Sequence, residues 1–108
     1  MLQRALNLKE KEIFESLKGV IDPELMVNIV DLGLVYDIRL DFENKKMNIT
    51  MTLTSPGCPL GDVIMEDVKQ VAKSSAYAEF EVEVNLVWEP AWTLDSISEK
   101  GKNILGRN

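Results

Sequence analysis

M-N-I-T-M-T-L-T-S-P-G-C-P-L-G, Met47 to Gly61, changes its period in the middle. From Met47 to Leu53 the apolar residues alternate. Met47, Ile49, Met51 and Leu53 share one face, and Asn48, Thr50, Thr52 and Thr54 share the other, which predicts a strand with one buried side. After the loop, Leu60, Ile64, Val68 and Val71 fall at helical spacing, with Asp62, Glu66, Asp67, Lys69 and Gln70 among the polar positions. That predicts an amphipathic helix of about 14 residues, ending near Ser74-Ser75. Between strand and helix lies T-S-P-G-C-P-L-G, Thr54 to Gly61, a tight loop that holds the only cysteine, Cys58.

Working outward, Leu34 to Phe42 also alternates. Leu34, Tyr36, Ile38, Leu40 and Phe42 face one way, and Val35, Asp37, Arg39 and Asp41 the other. The polar link Glu43-Asn44-Lys45-Lys46 joins this run to Met47–Leu53, so the two read as an antiparallel hairpin. Downstream, Phe80, Val82, Val84, Leu86 and Trp88 alternate with Glu81, Glu83 and Asn85 as a third strand, ended by Pro90. It reaches the hairpin through a helical crossover, and the reading favours the first strand as its neighbour. Upstream, Asn7 and Glu10 make a capping-box pattern ahead of an Ile13, Phe14, Leu17 stripe, with Gly19 as the stop. Near the end, Thr93 or Asp95 is the expected cap of a short helix holding Ile97, Ile104 and Leu105, which Gly101 weakens. The order is α-β-β-α-β-α. It implies a two-layer α/β (α+β) sandwich with a small mixed sheet, one domain over residues 1–108.

Composition narrows the chemistry. With 18 acidic and 12 basic residues the net charge is −6, which argues against nonspecific nucleic-acid binding. No apolar run is long enough to span a bilayer, and the charged N-terminal stretch does not resemble a secretory signal, so no membrane association is expected. A lone cysteine fits a reducing, cytoplasmic location. The absence of histidine excludes Ser-His-Asp and Cys-His catalysis and histidine zinc sites.

Three places remain for chemistry. Pro59 suits the first position of a helix, which makes Cys58 a candidate N-cap, where backbone N–H groups and the helix dipole favour thiolate. The alternative is a free cysteine packed as a small hydrophobe. Thr54 and Ser55 stand close in sequence and could present hydroxyls near it, although threonine also simply suits strands. In Asp22-Pro23-Glu24, Asp22 can cap a short helical turn that Pro23 begins and Glu24 favours, or both carboxylates can belong to a polar site; the two readings are compatible. Trp88-Glu89-Pro90-Ala91-Trp92 holds both tryptophans, with Trp88 read as packing and Trp92 as packing or as a partner contact.

Four separated motifs, D-P-E at Asp22–Glu24, V-N-I-V-D-L-G-L-V-Y at Val27–Tyr36, M-T-L-T-S-P-G-C-P at Met51–Pro59 and W-E-P-A-W at Trp88–Trp92, resemble the SufT/PaaD-like metal–sulfur (iron–sulfur) cluster assembly family in its single-domain form. Leu25-Met26 departs slightly from the pattern. The resemblance implies an iron–sulfur cluster assembly-type domain and a non-enzymatic accessory factor for maturing iron–sulfur proteins. It implies a site of Asp22, Glu24, Asp31, Thr54 and Cys58, with Thr52 and Ser55 beside it and Cys58 as the reactive or metal-contacting group. It implies an iron–sulfur carrier or scaffold and client apoproteins as partners.

Cluster chemistry limits that role. Clusters take four protein ligands, mostly thiolates, and this chain offers one, so the expectation is transient contact with a cluster or iron and no stable carriage by the monomer. A homodimer is left open. Three competing readings stay open as well: a helix-activated cysteine enzyme, an assembly factor for a multicomponent aromatic-acid oxygenase, and a pure interaction module docking through Trp92.

Overall fold

The computed structural model of the protein describes residues 6–57, 59–73 and 77–106. Helix α1, Leu8–Ser16, begins at the predicted capping box. Glu10 N–H donates to Asn7 Oδ1 at 2.8 Å, and Asn7 N–H donates to Glu10 Oε1 at 3.2 Å. A 3-10 turn, Leu17–Gly19, then closes the helix at the expected glycine. Ile13 and Leu17 are buried and Phe14 packs against the core.

A small hairpin follows that the sequence did not suggest. Strand β1, Ile21–Asp22, pairs antiparallel with β2, Val27–Asn28, around the D-P-E-L-M turn. Strands of two residues are too short to show alternation. The turn closes through Met26, whose φ of 59° is left-handed and whose N–H donates to Asp22 O at 2.7 Å.

The main sheet has three strands: β3, Val35–Asp41; β4, Lys46–Met51; and β5, Glu81–Leu86. β3 and β4 form the expected antiparallel hairpin. Helix α2, Gly61–Ala72, carries the chain across to β5, which runs parallel to β4. The order is β3-β4-β5, so the third strand lies beside the second and not beside the first as expected. Two features explain the correction. The inward residues of β4 are the most completely buried, with Met47, Ile49 and Met51 all at 0% exposure, which suits the centre. The outer edge of β3 is also already engaged by α1, because buried Glu10 accepts from Leu40 N–H at 3.3 Å.

α1 packs against β3, α2 against β5, and the two helices touch. The core lies between them and the sheet and includes Leu17, Ile38, Ile49, Ile64 and Val68. The opposite sheet face carries Asp37, Arg39, Asn48, Thr50, Glu81 and Glu83, so the two-layer expectation holds. A β-bulge at Tyr36 changes the predicted facing of β3: Val35, expected among the polar residues, is buried opposite Met51. Phe42, expected on the buried face, is 54% exposed and meets Phe80 edge-on with ring centroids 5.6 Å apart.

The C-terminal segment runs through a 3-10 turn, Leu94–Ser96, into α3, Glu99–Leu105, which packs on β2. Its cap is Ser98, whose Oγ accepts from Gly101 N–H at 3.0 Å. Neither Thr93 nor Asp95 fills that place; Thr93 precedes only the 3-10 turn and makes no side-chain cap. Gly101, expected to weaken the helix, is required by its packing. A Cβ there would sit 2.7 Å from Ile97 Cγ2 and 3.1 Å from Asp31 O. Among the described residues no helix is long and apolar enough to cross a membrane.

Candidate functional site

The D-P-E turn separates its two carboxylates. Asp22 is 2% exposed, and its Oδ1 accepts from Glu24 N–H at 2.8 Å and Leu25 N–H at 3.2 Å. This is the expected cap, although the turn it braces belongs to the β1–β2 hairpin. Glu24, two residues later, is exposed. It lines a pocket of about 380 Å³ with Leu25.

Thr54 and Ser55 form a second wall of the same pocket, from the start of the loop after β4. Trp92, Leu94, Ile97 and Leu105, from the C-terminal segment, form the third. Three stretches far apart in sequence thus meet around one cavity, polar at Glu24, Thr54 and Ser55 and apolar over the rest. Trp92 is half-buried, and its indole N–H donates to Leu32 O at 2.6 Å. It is therefore both anchored packing and pocket wall. Trp88 is 42% exposed and lies outside the pocket lining.

Asp31 and Thr52 do not line the pocket. Asp31 is 7% exposed and locked on both carboxylate oxygens. Asn28 Nδ2 donates to Oδ2 at 2.7 Å and Ser98 Oγ donates to Oδ1 at 2.8 Å. Its backbone is held as well, with Asp31 N–H donating to Asn28 Oδ1 at 2.8 Å and Ser98 N–H donating to Asp31 O at 2.7 Å. Burial pushes its pKa up, but the hydrogen bonds from Asn28 and Ser98, with the charges of Lys18 and Lys100, outweigh burial and leave it below the ordinary value. Asp31 thus fastens the C-terminal wall to the body of the domain. Thr52, expected beside Thr50 and Thr54 on an open face, is 1% exposed just beyond β4. Its N–H donates to Leu34 O at 2.9 Å, and its hydroxyl donates to Leu53 O at 3.4 Å.

Cys58 lies outside the described residues. Its neighbours Gly57 and Pro59 are exposed. The helix start beyond it is described and corrects one expectation: α2 begins at Gly61, so the N-cap position belongs to Leu60 and Pro59 is not its first residue. The first helical position leaves no room for a side chain, since a Cβ on Gly61 would lie 2.7 Å from Leu53 Cδ1. Among the described residues there is no group of three or more side chains of the metal-ligating acidic, thiol or imidazole types.

Asn28 and Ser98 were missed as members of the Asp31 latch. Ser98 was findable, because Ser-Glu-Lys at 98–100 ahead of Ile104 and Leu105 is a helix-start pattern. Asn28 gave no signal, being a polar residue in a strand of two. Tyr36 was also unremarked: its hydroxyl donates to Pro90 O at 2.7 Å, tying β3 to the tryptophan segment, and burial, with the Glu89 carboxylate, raises its pKa.

A family model described as iron–sulfur cluster assembly protein matches residues 10–86. The chain is 48% identical over 99 residues to the Fe-S protein maturation auxiliary factor YitW of Bacillus subtilis, covering 92% of this chain and 94% of that protein. It is 47% identical over 87 residues to the Fe-S protein maturation auxiliary factor SufT of Staphylococcus aureus, covering 81% and 97%. Among solved structures, a domain of unknown function from Bacillus anthracis matches with a TM-score of 0.83 at 47% identity, over 92% of each chain. A conserved hypothetical protein from Thermotoga maritima matches with a TM-score of 0.73 at 34% identity, over 96% of this chain and 98% of that one.

Proposed function

The chain belongs to the iron–sulfur cluster assembly protein family, and we propose that it is a non-enzymatic auxiliary factor in the maturation of iron–sulfur proteins. The pocket of Glu24, Thr54, Ser55 and Trp92 is its contact site for a carrier or client protein. Cys58 makes a short-lived contact with the cluster, its iron or a client thiol. The observation that carries this reading is the convergence on one pocket of residues from the D-P-E, T-S-P and W-E-P-A-W motifs. The names of the relatives, Fe-S protein maturation auxiliary factors, support the same direction.

The cluster is cargo. A single thiolate supplies one of the four ligands that a [2Fe–2S] or [4Fe–4S] cluster takes, so the partner provides the others. The polar rim suits backbone and side-chain hydrogen bonds to a partner segment, and the apolar wall suits one of its aliphatic or aromatic side chains.

The test is anaerobic purification of the parent protein and of Cys58→Ser, with iron and sulfide analysis, alongside complementation of a cell lacking the protein. The expected result is sub-stoichiometric iron that Cys58→Ser abolishes, and iron–sulfur enzyme activities that Cys58→Ser fails to restore. Full restoration by Cys58→Ser would overturn the role of the thiol.

A further inference from the structure

The two edges of the main sheet are not alike. On β3 the outward amides are occupied by carboxylates: Ile38 N–H donates to Asp37 Oδ1 at 3.0 Å and Leu40 N–H to Glu10 Oε2 at 3.3 Å. That edge is closed to a further strand. On β5 the ladder to β4 uses alternate residues. Glu81 N–H donates to Lys45 O and Val87 N–H to Met51 O, each at 2.9 Å, within a continuous parallel register. In a parallel ladder a residue turns its N–H and C=O to the same neighbour. Glu81, Glu83 and Asn85 therefore face β4, while Val82, Val84 and Leu86 direct their amides and carbonyls outward. β5 packs on β4 and α2, and none of its residues lines the pocket described above.

We propose that the outer edge of β5 receives an extended segment of a partner protein, added as a fourth strand, in which basic residues alternate with apolar ones. Main-chain groups of Val82, Val84 and Leu86 supply the pairing. The side chains set the pattern. On one face Val82 and Val84 are half-buried and Leu86 is 36% exposed, so an added strand can extend the apolar layer there. On the other face Glu81 and Glu83 are exposed; Glu81 stands opposite Lys46 in the ladder, whereas Glu83 stands opposite uncharged Asn48 and has no basic neighbour across from it. A basic residue on the incoming strand meets Glu83 as a favourable cross-strand pair, with Glu81 adding to the negative rim. A second copy of this chain is disfavoured, because it would set two Glu81–Glu83 rows side by side between molecules that each carry a net charge of −6.

The probe is a capped hexapeptide alternating lysine and valine, with its glutamate–valine counterpart as the control, and the readout is residue-resolved amide exchange by NMR. The expected result is exchange slowed about tenfold or more at Val82, Val84 and Leu86 with the lysine peptide only. Val84→Pro removes an outward amide without breaking the ladder to β4, so it should abolish the effect while the sheet stays intact. Glu81→Lys combined with Glu83→Lys is a surface change that tests the charge argument should the proline variant unfold; it should transfer the preference to the glutamate peptide. Unchanged exchange at the three amides, or equal protection by both peptides, would overturn the proposal. So would protection that rises with protein concentration without peptide, since the occupant is then a second copy.

Discussion

Replacing Asp31 by asparagine tests whether this acid is a latch. The carboxylate accepts from Asn28 Nδ2 and from Ser98 Oγ. Hydrogen bonds to charged groups contribute about 1.5–3 kcal/mol each. In Asp31→Asn the new amide has one neutral oxygen: turned to Ser98 it sets nitrogen against nitrogen at Asn28, and turned to Asn28 it leaves the Ser98 hydroxyl, which already accepts from Gly101 N–H, without its acceptor. Asn28 cannot flip to help, because its own Oδ1 already accepts from Asp31 N–H at 2.8 Å. One charge-assisted bond is lost and the other weakened, so the expected destabilisation is about 3 kcal/mol. For a domain of this size that lowers Tm by roughly 10–20 °C.

The pH dependence makes the test sharper. The folded-state pKa of Asp31 lies below its ordinary value: burial opposes this, and the bonds from Asn28 and Ser98 win. A depressed carboxylate adds stability that is fully present above the unfolded pKa of about 3.9 and is lost as pH falls through the folded pKa. Urea unfolding of parent and variant should therefore differ most near neutral pH, and the gap should close at strongly acid pH. A difference under about 0.5 kcal/mol near neutrality, the range of an ordinary surface change, would refute the latch. A gap that stays constant into acid would also refute it.

Two further outcomes follow from packing and from the pocket. Gly101→Ala should cost about 1–3 kcal/mol by thermal or urea unfolding, because its Cβ meets Ile97 Cγ2 and the Asp31 carbonyl; a helix-propensity gain in its place would contradict the packing. Ser55→Trp puts a large indole at the pocket rim from an exposed position, so unfolding should change by no more than about 0.5 kcal/mol while complementation of iron–sulfur enzyme activities fails; full complementation would remove the pocket from the mechanism.

The elements that could be read in the sequence are those long enough to show a period. β3, β4, α2 and β5 each run six residues or more and bury one face, and the Asn7–Glu10 box marked α1. Pairing order was not legible, because alternation records which face is buried and not which neighbour lies beside it. One of the two features that put β5 beside β4, the occupation of the β3 edge by Glu10, is a contact between residues 30 positions apart that no local pattern announces. The facing of Val35 failed for a related reason: the register shift at Tyr36 sets Val35 opposite Met51 on the buried side. The start of α2 failed because proline at a loop end suggests a helix start, while the chain completes a further turn through Leu60 before the helix begins at Gly61.

The candidate site was legible as a set of residue types and illegible as a division of labour. Asp22, Glu24 and Asp31 look equivalent in sequence, three acids near a turn. Burial separates them. Asp22 and Asp31 are 2% and 7% exposed and accept from backbone amides and from Asn28 and Ser98, whereas Glu24 is exposed at the pocket. Loss of function on replacing Asp22 would therefore report first on the turn that presents Glu24, and loss on replacing Asp31 on the segment that carries Trp92, Leu94 and Ile97. Glu24, Thr54 and Ser55 are the positions where a functional change can be separated from a folding one. They are exposed or half-exposed at the rim, while Leu25, Ile97, Trp92 and Leu105 are packed into or against the core. A carboxylate fixed on a tight turn beside two hydroxyls, across from an apolar wall, can orient a partner segment without itself reacting. That fits a chain with one thiol and no histidine, for which the proposed function assigns the remaining cluster ligands to the partner.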